Sequence, residues 1–378
     1  MRAGAAAALC AALSLAAPAL PGVVLAPPEQ ALLAHGPWPV ATQRDPSNRA
    51  SGRPDAIEFG YRMFREPHFS PNGYIACISC HQTDRAFTDA IARAQGLAPV
   101  DRNTPTLANL RLLPWYGWDG ASDSLWMASL RPIVDAREIG ADAARVAHVV
   151  RIGDGHACRY RRAFGALPQA HDDLTVMVNV AKAIAAFAET LVTGRTQFDD
   201  YRDAVARGDA AGARRYPEAA QRGARLFVGR GGCAACHAGP NFTDGQFHAV
   251  VVPSARWRGA DPGRENGLAR WRASVFNRFG RFSDAPQRPT ATNLSSIGDV
   301  AQRGWFRTPP LRNVAVTPPY MHDGGIDTLA AAVRHQGPGT DAPLTEAEVG
   351  ELVAFLETLT DAQGAARQFP PLRRSACP

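Results

Sequence analysis

Two copies of one five-residue motif are the residues of this chain best suited to chemistry. Cys77-Ile-Ser-Cys80-His81 and Cys233-Ala-Ala-Cys236-His237 both follow the pattern C-x-x-C-H, which is the attachment signature of a c-type haem. The two thiols add to the vinyl groups of one porphyrin, and the imidazole that follows binds its iron. The sequence therefore predicts two covalently bound haem c groups and makes redox chemistry the first hypothesis. Their ligands would be Cys77, Cys80, His81, Cys233, Cys236 and His237.

A zinc ribbon and a thioredoxin-like dithiol are the structural alternatives for paired cysteines. Ribbon pairs lie roughly 15–20 residues apart, whereas a far longer segment separates Cys80 from Cys233. Neither alternative explains why His81 and His237 directly follow the second cysteine of each motif. Haem attachment accounts for both histidines.

The amino terminus indicates export. Arg2 is followed by small and apolar residues over Ala3–Leu20 and again over Val23–Ala26, a pattern typical of a secretory signal. The run is short and rich in alanine, so a membrane anchor is the less favoured alternative. We expect a signal peptide over residues 1–26, cleaved near Ala19 or Ala26, and a periplasmic protein without stable membrane insertion.

The remaining composition sets weaker limits. The 378 residues carry a formal net charge of +6 and seven cysteines. Four of the cysteines would hold haem, and Cys10 would leave with the signal peptide. Cys158 and Cys377 could form a disulfide or stay as thiols, and the sequence leaves both options open. No Lys/Arg block or aromatic ladder suggests a nucleic-acid partner.

An internal repeat relates the two haem motifs. The segment Thr104–Leu125 aligns without a gap on Thr308–Leu329, and ten of the 22 positions are identical. A second block repeats near the end of each half, where Ala186–Leu191 matches Ala354–Leu359. Because the haem motif and both blocks recur in one order, the sequence predicts a duplicated haem domain.

Local patterns favour small helical domains with long loops. We expect helices at about 56–64 and 219–227, just before each haem motif. Thr345 and Glu348 form a capping box before an apolar stripe that ends at Leu359, and Leu174 begins the equivalent helix of the first half. Strand alternation is scarce. The predicted fold class is all-α, with two tandem cytochrome c-like haem domains related by internal duplication.

The repeat also suggests domain boundaries. After the signal peptide we expect an N-terminal extension over 27–54 and a first haem domain over 55–195. A linker over 196–218 would lead to a second haem domain over 219–362, which carries an insertion at about 250–303. A tail over 363–378 would follow.

Together these motifs resemble the bacterial dihaem cytochrome c peroxidase and MauG family, in its MauG-like or MbnH-like branch. The resemblance covers nearly all of the chain after the predicted signal peptide. It implies that the first haem is peroxidatic and reacts with hydrogen peroxide, while the second transfers electrons. The segments that carry it, besides the haem motifs, are Arg102–Pro105, Gly117–Gly120, Pro132–Gly140 and Pro319–Gly324.

The resemblance also implies roles for individual residues. Trp118 falls on the position between the two haems, and Glu138 falls on the position above the reactive iron. Splitting the O–O bond of peroxide requires a group that moves a proton, which is the role we expect for Glu138. Without the resemblance, Glu138 would be a solvated helix end and Trp118 a core aromatic residue. One calcium ion is implied as well, bound by Asn103, Thr317 and Pro319, whose oxygen atoms suit a hard cation.

The distal iron ligands are the least settled part of the sequence. In the family the sixth ligand of the second haem falls on Gln336, and the repeat maps this position onto Pro132, which has no donor atom. No histidine lies between His81 and Trp118, so we expect the first haem to be open without reductive activation. For the second haem, His335, Gln336, water, another residue or an open site all remain possible. Consecutive helical residues point about 100° apart, so only one of His335 and Gln336 can face the iron.

Three functions are compatible with these residues. A MauG-like enzyme would use peroxide to oxidise a side chain of a partner protein. A classical peroxidase would reduce peroxide to water with electrons from a small redox protein. A non-enzymatic electron carrier would need both irons to be six-coordinate.

Overall fold

The structure is a computed structural model that describes residues 27–250, 252, 261–286, 302–337, 343–366, 369 and 377. The predicted signal peptide and parts of the predicted insertion lie outside the described residues. Thirteen α-helices are present in the described part of the chain. They are α1 (Pro27–Leu33), α2 (Pro54–Phe64), α3 (Cys77–Cys80), α4 (Leu125–Val134), α5 (Ala143–Ile152), α6 (His156–Phe164), α7 (Asp173–Ala188), α8 (Gln197–Ala206), α9 (Ala210–Ala213), α10 (Glu218–Val228), α11 (Arg264–Ala273), α12 (Leu329–Gln336) and α13 (Glu346–Glu357).

The described residues form only one small sheet. Strand β1 (Phe247–Ala249) pairs antiparallel with β2 (Trp305–Arg307), and Phe247 lies opposite Arg307. The two strands bring the ends of the predicted insertion together. The predicted all-α class is confirmed, and this two-stranded sheet is an addition that the sequence did not indicate.

The core of the first half forms where α2 crosses α7. Asp172 caps α7 by accepting a hydrogen bond from the N–H of Thr175, and the helix that follows is apolar on almost every face. Such a helix must be covered on all sides, and α2, α4 and α5 cover it. Phe59, Phe64 and Phe187 are fully buried in this core.

The second half repeats the same crossing with α10 and α13. The predicted capping box begins α13, because Thr345 accepts from the N–H of Glu348 while the Glu348 carboxylate accepts from the N–H of Thr345. Phe227 and Phe355 are buried where the helices meet. This half therefore has its own apolar core.

Matching hydrogen bonds show that the halves are a duplication. Asn109 and Asn313 both adopt a left-handed conformation, with φ of 62° and 64°. The N–H of Asn109 donates to the carbonyl of Leu191 at 2.8 Å, and that of Asn313 donates to Leu359 at 3.0 Å. In each half, the repeated segment that begins at Thr104 or Thr308 is thereby tied to the end of the last helix.

The insertion packs on the first half through α11. The Arg264 guanidinium donates to the carbonyl oxygen of Gly120 at 2.6 Å. The indole N–H of Trp271 donates to Asp123 at 2.8 Å. The predicted insertion thus covers the turn that contains Trp118.

Each described end of the chain packs on the half that is farther from it in sequence. Leu32 of α1 is buried in the core of the second half, although the first half follows it in sequence. Phe369, which comes after the second half, packs on the first, with ring contacts to Tyr61, Phe64 and Phe187. The segment predicted as a linker also joins the second core, through Phe198 of α8.

A disulfide fastens the C-terminal end to the first half. Cys158 in α6 is bonded to Cys377, with a Cα–Cα distance of 5.8 Å. Of the two options that the sequence left open, a disulfide or two thiols, the structure has the disulfide. Among the described helices, none combines the length and apolar character needed to cross a membrane.

Candidate active site

The first haem motif begins with the single helical turn α3 and ends at His81. The Nδ1 atom of His81 lies 3.0 Å from the carbonyl oxygen of Phe87. A hydrogen bond at Nδ1 fixes the tautomer and leaves Nε2 as the metal-binding atom. His81 is therefore oriented as a proximal ligand by its own loop.

The second motif uses the same device. The Nδ1 atom of His237 lies 3.1 Å from the carbonyl oxygen of Phe242. Phe87 and Phe242 both have positive φ, 63° and 54°, a conformation uncommon for bulky residues that persists where the surroundings enforce it. Both rings are fully buried, so packing holds each carbonyl in place.

Electrostatics favour the neutral imidazoles that iron binding requires. Burial inside the fold lowers the pKa of both His81 and His237. Each imidazole also has a carbonyl acceptor for its Nδ1 hydrogen. The two donor sets, each with two thiols and one imidazole, fit covalently bound haem.

An apolar cavity lies over the first motif. His81, Cys80 and Phe64 line one side, and Leu125, Ala128 and Pro132 of α4 line another. Among the described residues of its lining there is no second imidazole and no thioether. The position that aligns with Gln336 is occupied by Pro132, which offers no ligand atom.

Glu138 lines the same cavity as His81. It follows α4 in a loop held by its carbonyl, which accepts the N–H of Leu97 at 3.0 Å. Its carboxylate lies 2.7 Å from the guanidinium of Arg131. His81 and Glu138 are 57 positions apart in the sequence. The structure places both the proximal histidine and the acid/base candidate in the lining of one cavity.

Arg307 enters this cavity from the second half. Its guanidinium is buried and donates to the carbonyl oxygens of Gly117 at 3.3 Å and Thr308 at 3.2 Å. Burial lowers its pKa to about 10. A buried cation in an apolar cavity suits the carboxylate groups of a haem. The sequence did not indicate Arg307, because its place beside the first half depends on the pairing of β1 with β2 and on its backbone N–H, which donates to the carbonyl of Trp118 at 2.8 Å.

Trp118 lies at the junction of the two halves. Its indole N–H donates to the carbonyl oxygen of Asn103 at 2.9 Å. The N–H of Asn103 donates in turn to the carbonyl of His322 at 2.9 Å. Trp118 and His322 align in the repeat, so Asn103 joins equivalent positions of the two halves.

Charged groups surround this junction. Asp261, from the insertion, accepts two hydrogen bonds from Arg102, at 2.6 and 2.8 Å. Its carboxylate also lies 3.5 Å from Nε2 of His322. The hydrogen bonds of His322 and Arg102 outweigh burial and hold the pKa of Asp261 well below its usual range. Phe306 stacks on the imidazole at 3.6 Å between ring centroids.

The predicted calcium ligands lie near the same junction. The side-chain amide of Asn103 donates to the carbonyl of Ile91 at 3.0 Å. Thr317 and Pro319 precede His322 by a few residues, in the loop that Asn103 contacts. Calcium binding at these three residues stays a prediction.

The candidate ligands of the second haem lie at the end of α12. His335 is half-buried, whereas Gln336 is exposed. The amide nitrogen of Gln336 lies 3.7 Å from the sulfur of Met321. Met321 was absent from the candidates that the sequence suggested, because it lies outside α12.

Two haem-binding motifs on a duplicated all-α fold define a dihaem cytochrome. A family model described as di-haem cytochrome c peroxidase matches residues 54–207. Methylamine utilization protein MauG of Methylorubrum extorquens is 33% identical over 332 residues, covering 84% of this chain and 82% of that protein. The chain belongs to the dihaem cytochrome c peroxidase and MauG family.

Other relatives agree with this assignment. Cytochrome c551 peroxidase of Nitrosomonas europaea is 30% identical over 314 residues, covering 82% of this chain and 81% of that protein. The crystal structure of a MauG-like protein associated with microbial copper homeostasis has a TM-score of 0.63 at 26% identity, with 88% and 97% of the two chains covered. A dihaem peroxidase from Burkholderia thailandensis, at 24% identity and a TM-score of 0.65, shares the fold over 90% of this chain and 94% of its own.

These comparisons confirm the predicted family, the fold class and the enzyme class. The protein is a dihaem peroxidase-type oxidoreductase that carries two haem c groups. When bound, these groups supply redox-active iron. Cys77 and Cys80 would attach the first porphyrin and His81 would bind its iron, while Cys233, Cys236 and His237 would do the same for the second.

Proposed function

We propose that this enzyme activates hydrogen peroxide at the first haem and oxidises a partner protein, in the manner suggested by its resemblance to MauG. The observation that carries the proposal is the cavity over His81. It contains the carboxylate of Glu138, while the described part of its lining offers no second imidazole or thioether. Peroxide activation requires both an open coordination position and a proton-transfer group.

Glu138 performs the proton transfer in this proposal. Its carboxylate would take a proton from peroxide and return it to the oxygen that leaves as water, and the haem held by Cys77, Cys80 and His81 would supply the two electrons that cleavage of the O–O bond requires. Arg131, 2.7 Å away, orients the carboxylate. The apolar residues of α4 keep bulk water from the reacting oxygens.

In this proposal Cys233, Cys236 and His237 would hold the second haem, which would serve as the source of electrons for the first. Trp118 lies at the junction of the two halves, where an indole shortens each electron-transfer step. The proposal also includes one calcium ion at Asn103, Thr317 and Pro319, where it would brace the junction.

We place this enzyme in the periplasm. The pattern of residues 1–26 favours export, and the Cys158–Cys377 disulfide suits an oxidising compartment. Haem c attachment outside the bacterial cytoplasm is consistent with both observations.

The substitution Glu138→Gln tests the proposal. It keeps the size of the side chain and removes its basic oxygen, so peroxide consumption should fall by at least roughly 10²-fold. The matched control is Glu346→Gln, which breaks an exposed carboxylate–guanidinium pair with Arg334 on the second half and should leave the rate unchanged. Unchanged turnover in Glu138→Gln would reassign the proton-transfer role.

A classical peroxidase is the second candidate, favoured by the similarity to cytochrome c551 peroxidase. Peroxide titration with and without a reduced small cytochrome separates the two. Rapid turnover of the cytochrome supports the classical function, whereas oxidising equivalents that persist until a protein substrate is added support partner oxidation. An EPR spectrum of the ferric protein with low-spin iron only would favour the electron carrier instead.

A further inference from the structure

We propose that the sulfur of Met321 is the distal ligand of the second haem iron. The inference rests on the two haems of the proposed function but is independent of peroxide chemistry. It concerns a side chain outside α12, the helix on which the sequence placed the candidate ligands.

The repeat shows which residues face the second haem. In the first half, Leu125, Ala128 and Pro132 of α4 line the cavity over His81. Helix α12 takes the place of α4 in the second half. Leu329 and Val333 of α12 pack against the core cluster that also contacts Cys233, so this face of α12 is directed to the second haem motif.

Met321 stands where the first half has Gly117. The alignment pairs these residues without a gap, and their φ angles are alike, at 75° and 79°. Gly117 lines the cavity over His81, so the equivalent backbone position borders the second haem. The conformation suits glycine, and the second half nevertheless carries a long thioether side chain there. Strained positions of this kind are concentrated at functional sites.

The contact with Gln336 shows where the thioether points. Its sulfur lies 3.7 Å from the amide nitrogen of Gln336, and Gln336 is one turn beyond Val333 on the haem-facing side of α12. The sulfur thus lies beside the position that the repeat aligns with Pro132, a residue that lines the cavity over His81 in the first half.

Ligand chemistry favours sulfur over the neighbouring amide. Thioether sulfur paired with histidine is an established ligand set of haem c, and it raises the reduction potential. The amide N–H of Gln336 can donate to one sulfur lone pair while the other binds iron. His335 lies about 100° away around α12 from Gln336, so it is directed away from this point.

The ligand can be identified by spectroscopy on the haem-loaded protein. Ferric haem with histidine and methionine ligands has a weak sulfur-to-iron charge-transfer band in the far red, and we expect it in the wild type. Met321→Leu should abolish this band and shift the midpoint potential of the second haem downward. Met321→Gly should also abolish the band and lower the potential. Glycine suits the left-handed backbone at this position, so this variant tests the assignment even if Met321→Leu fails to fold. Met177→Leu, in the buried core of the first half, is the matched control and should retain the band.

Other outcomes would overturn the assignment. A wild-type spectrum without the band, or a band that survives in Met321→Leu, excludes Met321 as the ligand. Loss of the low-spin signal in His335→Ala but not in Met321→Leu would assign histidine instead. A haem count of two per chain is checked for each variant. A protein with the band but no peroxide activity would keep Met321 as ligand and refute the proposed function alone.

Discussion

Trp118 and His322 occupy the same position in the two halves, yet their surroundings differ. The indole of Trp118 has one polar partner, the carbonyl of Asn103. The imidazole of His322 faces the carboxylate of Asp261 and stacks on Phe306. The two copies have therefore diverged at this position. The first half has an indole that can be oxidised, and the second half has an imidazole within a network of charged groups.

We expect Trp118→Phe to slow electron transfer between the haems. The substitution keeps an aromatic ring but removes the indole and its hydrogen bond to Asn103. When the second haem is reduced beforehand and peroxide is added in a stopped-flow experiment, oxidation of the second haem should lag behind the spectral change of the first. Trp271→Phe, which removes an indole bonded to Asp123, should show no lag. Equal rates in both variants would mean that Trp118 is only a packing residue.

Sequence patterns revealed some of these residues and not others. The haem ligands could be predicted because covalent attachment requires a fixed local spacing. Glu138 and Trp118 could be named only through the family resemblance. The carbonyls of Phe87 and Phe242 could not be predicted as hydrogen-bond acceptors. Phe87 follows His81 by six residues and Phe242 follows His237 by five, so an alignment of the repeat without gaps does not pair them.

Two glycines set the distance between the main helices of each half. Gly60 of α2 lies against the carbonyl oxygen of Ala183, and Gly223 of α10 lies against that of Glu351. A Cβ at either position would overlap the opposing backbone. The same close crossing thus occurs twice, and it holds the helix before each haem motif against the last helix of that half.

Gly60→Ala and Gly223→Ala should each destabilise the protein. Because the opposing atom is backbone, the helices must move apart, which costs about 1–3 kcal/mol, as overpacking typically does. Gly350→Ala is the matched control, because Gly350 lies in α13 with open space around it, and it should stabilise the helix by about 0.5–1 kcal/mol. Urea unfolding measures all three. Equal effects at the three sites would contradict the close-crossing explanation.

Helices with strong local patterns were predicted closely. The helices expected at about 56–64 and 219–227 are Pro54–Phe64 and Glu218–Val228. The segment expected as a linker also contributes Phe198 to the second core. Its polar and alanine-rich composition hides this role, because only a few residues of α8 are buried and their partners come from distant parts of the chain.

At the scale of the molecule, the Cys158–Cys377 disulfide closes a segment of 219 residues. A long closed segment restricts the unfolded chain strongly. Replacing both cysteines with serine should therefore lower the free energy of unfolding by about 2–5 kcal/mol. The haem count and the visible spectrum should stay unchanged, because neither cysteine belongs to a haem motif. Equal urea midpoints with and without the disulfide would contradict this expectation.

The crossed ends of the chain bear on how such a protein can evolve. Leu32 completes the core of the half that is encoded last, and Phe369 packs on the half that is encoded first. A recombination event that moved either half into another gene would leave behind a segment that its core requires. Although the two halves arose as copies, selection can now retain or discard them only together.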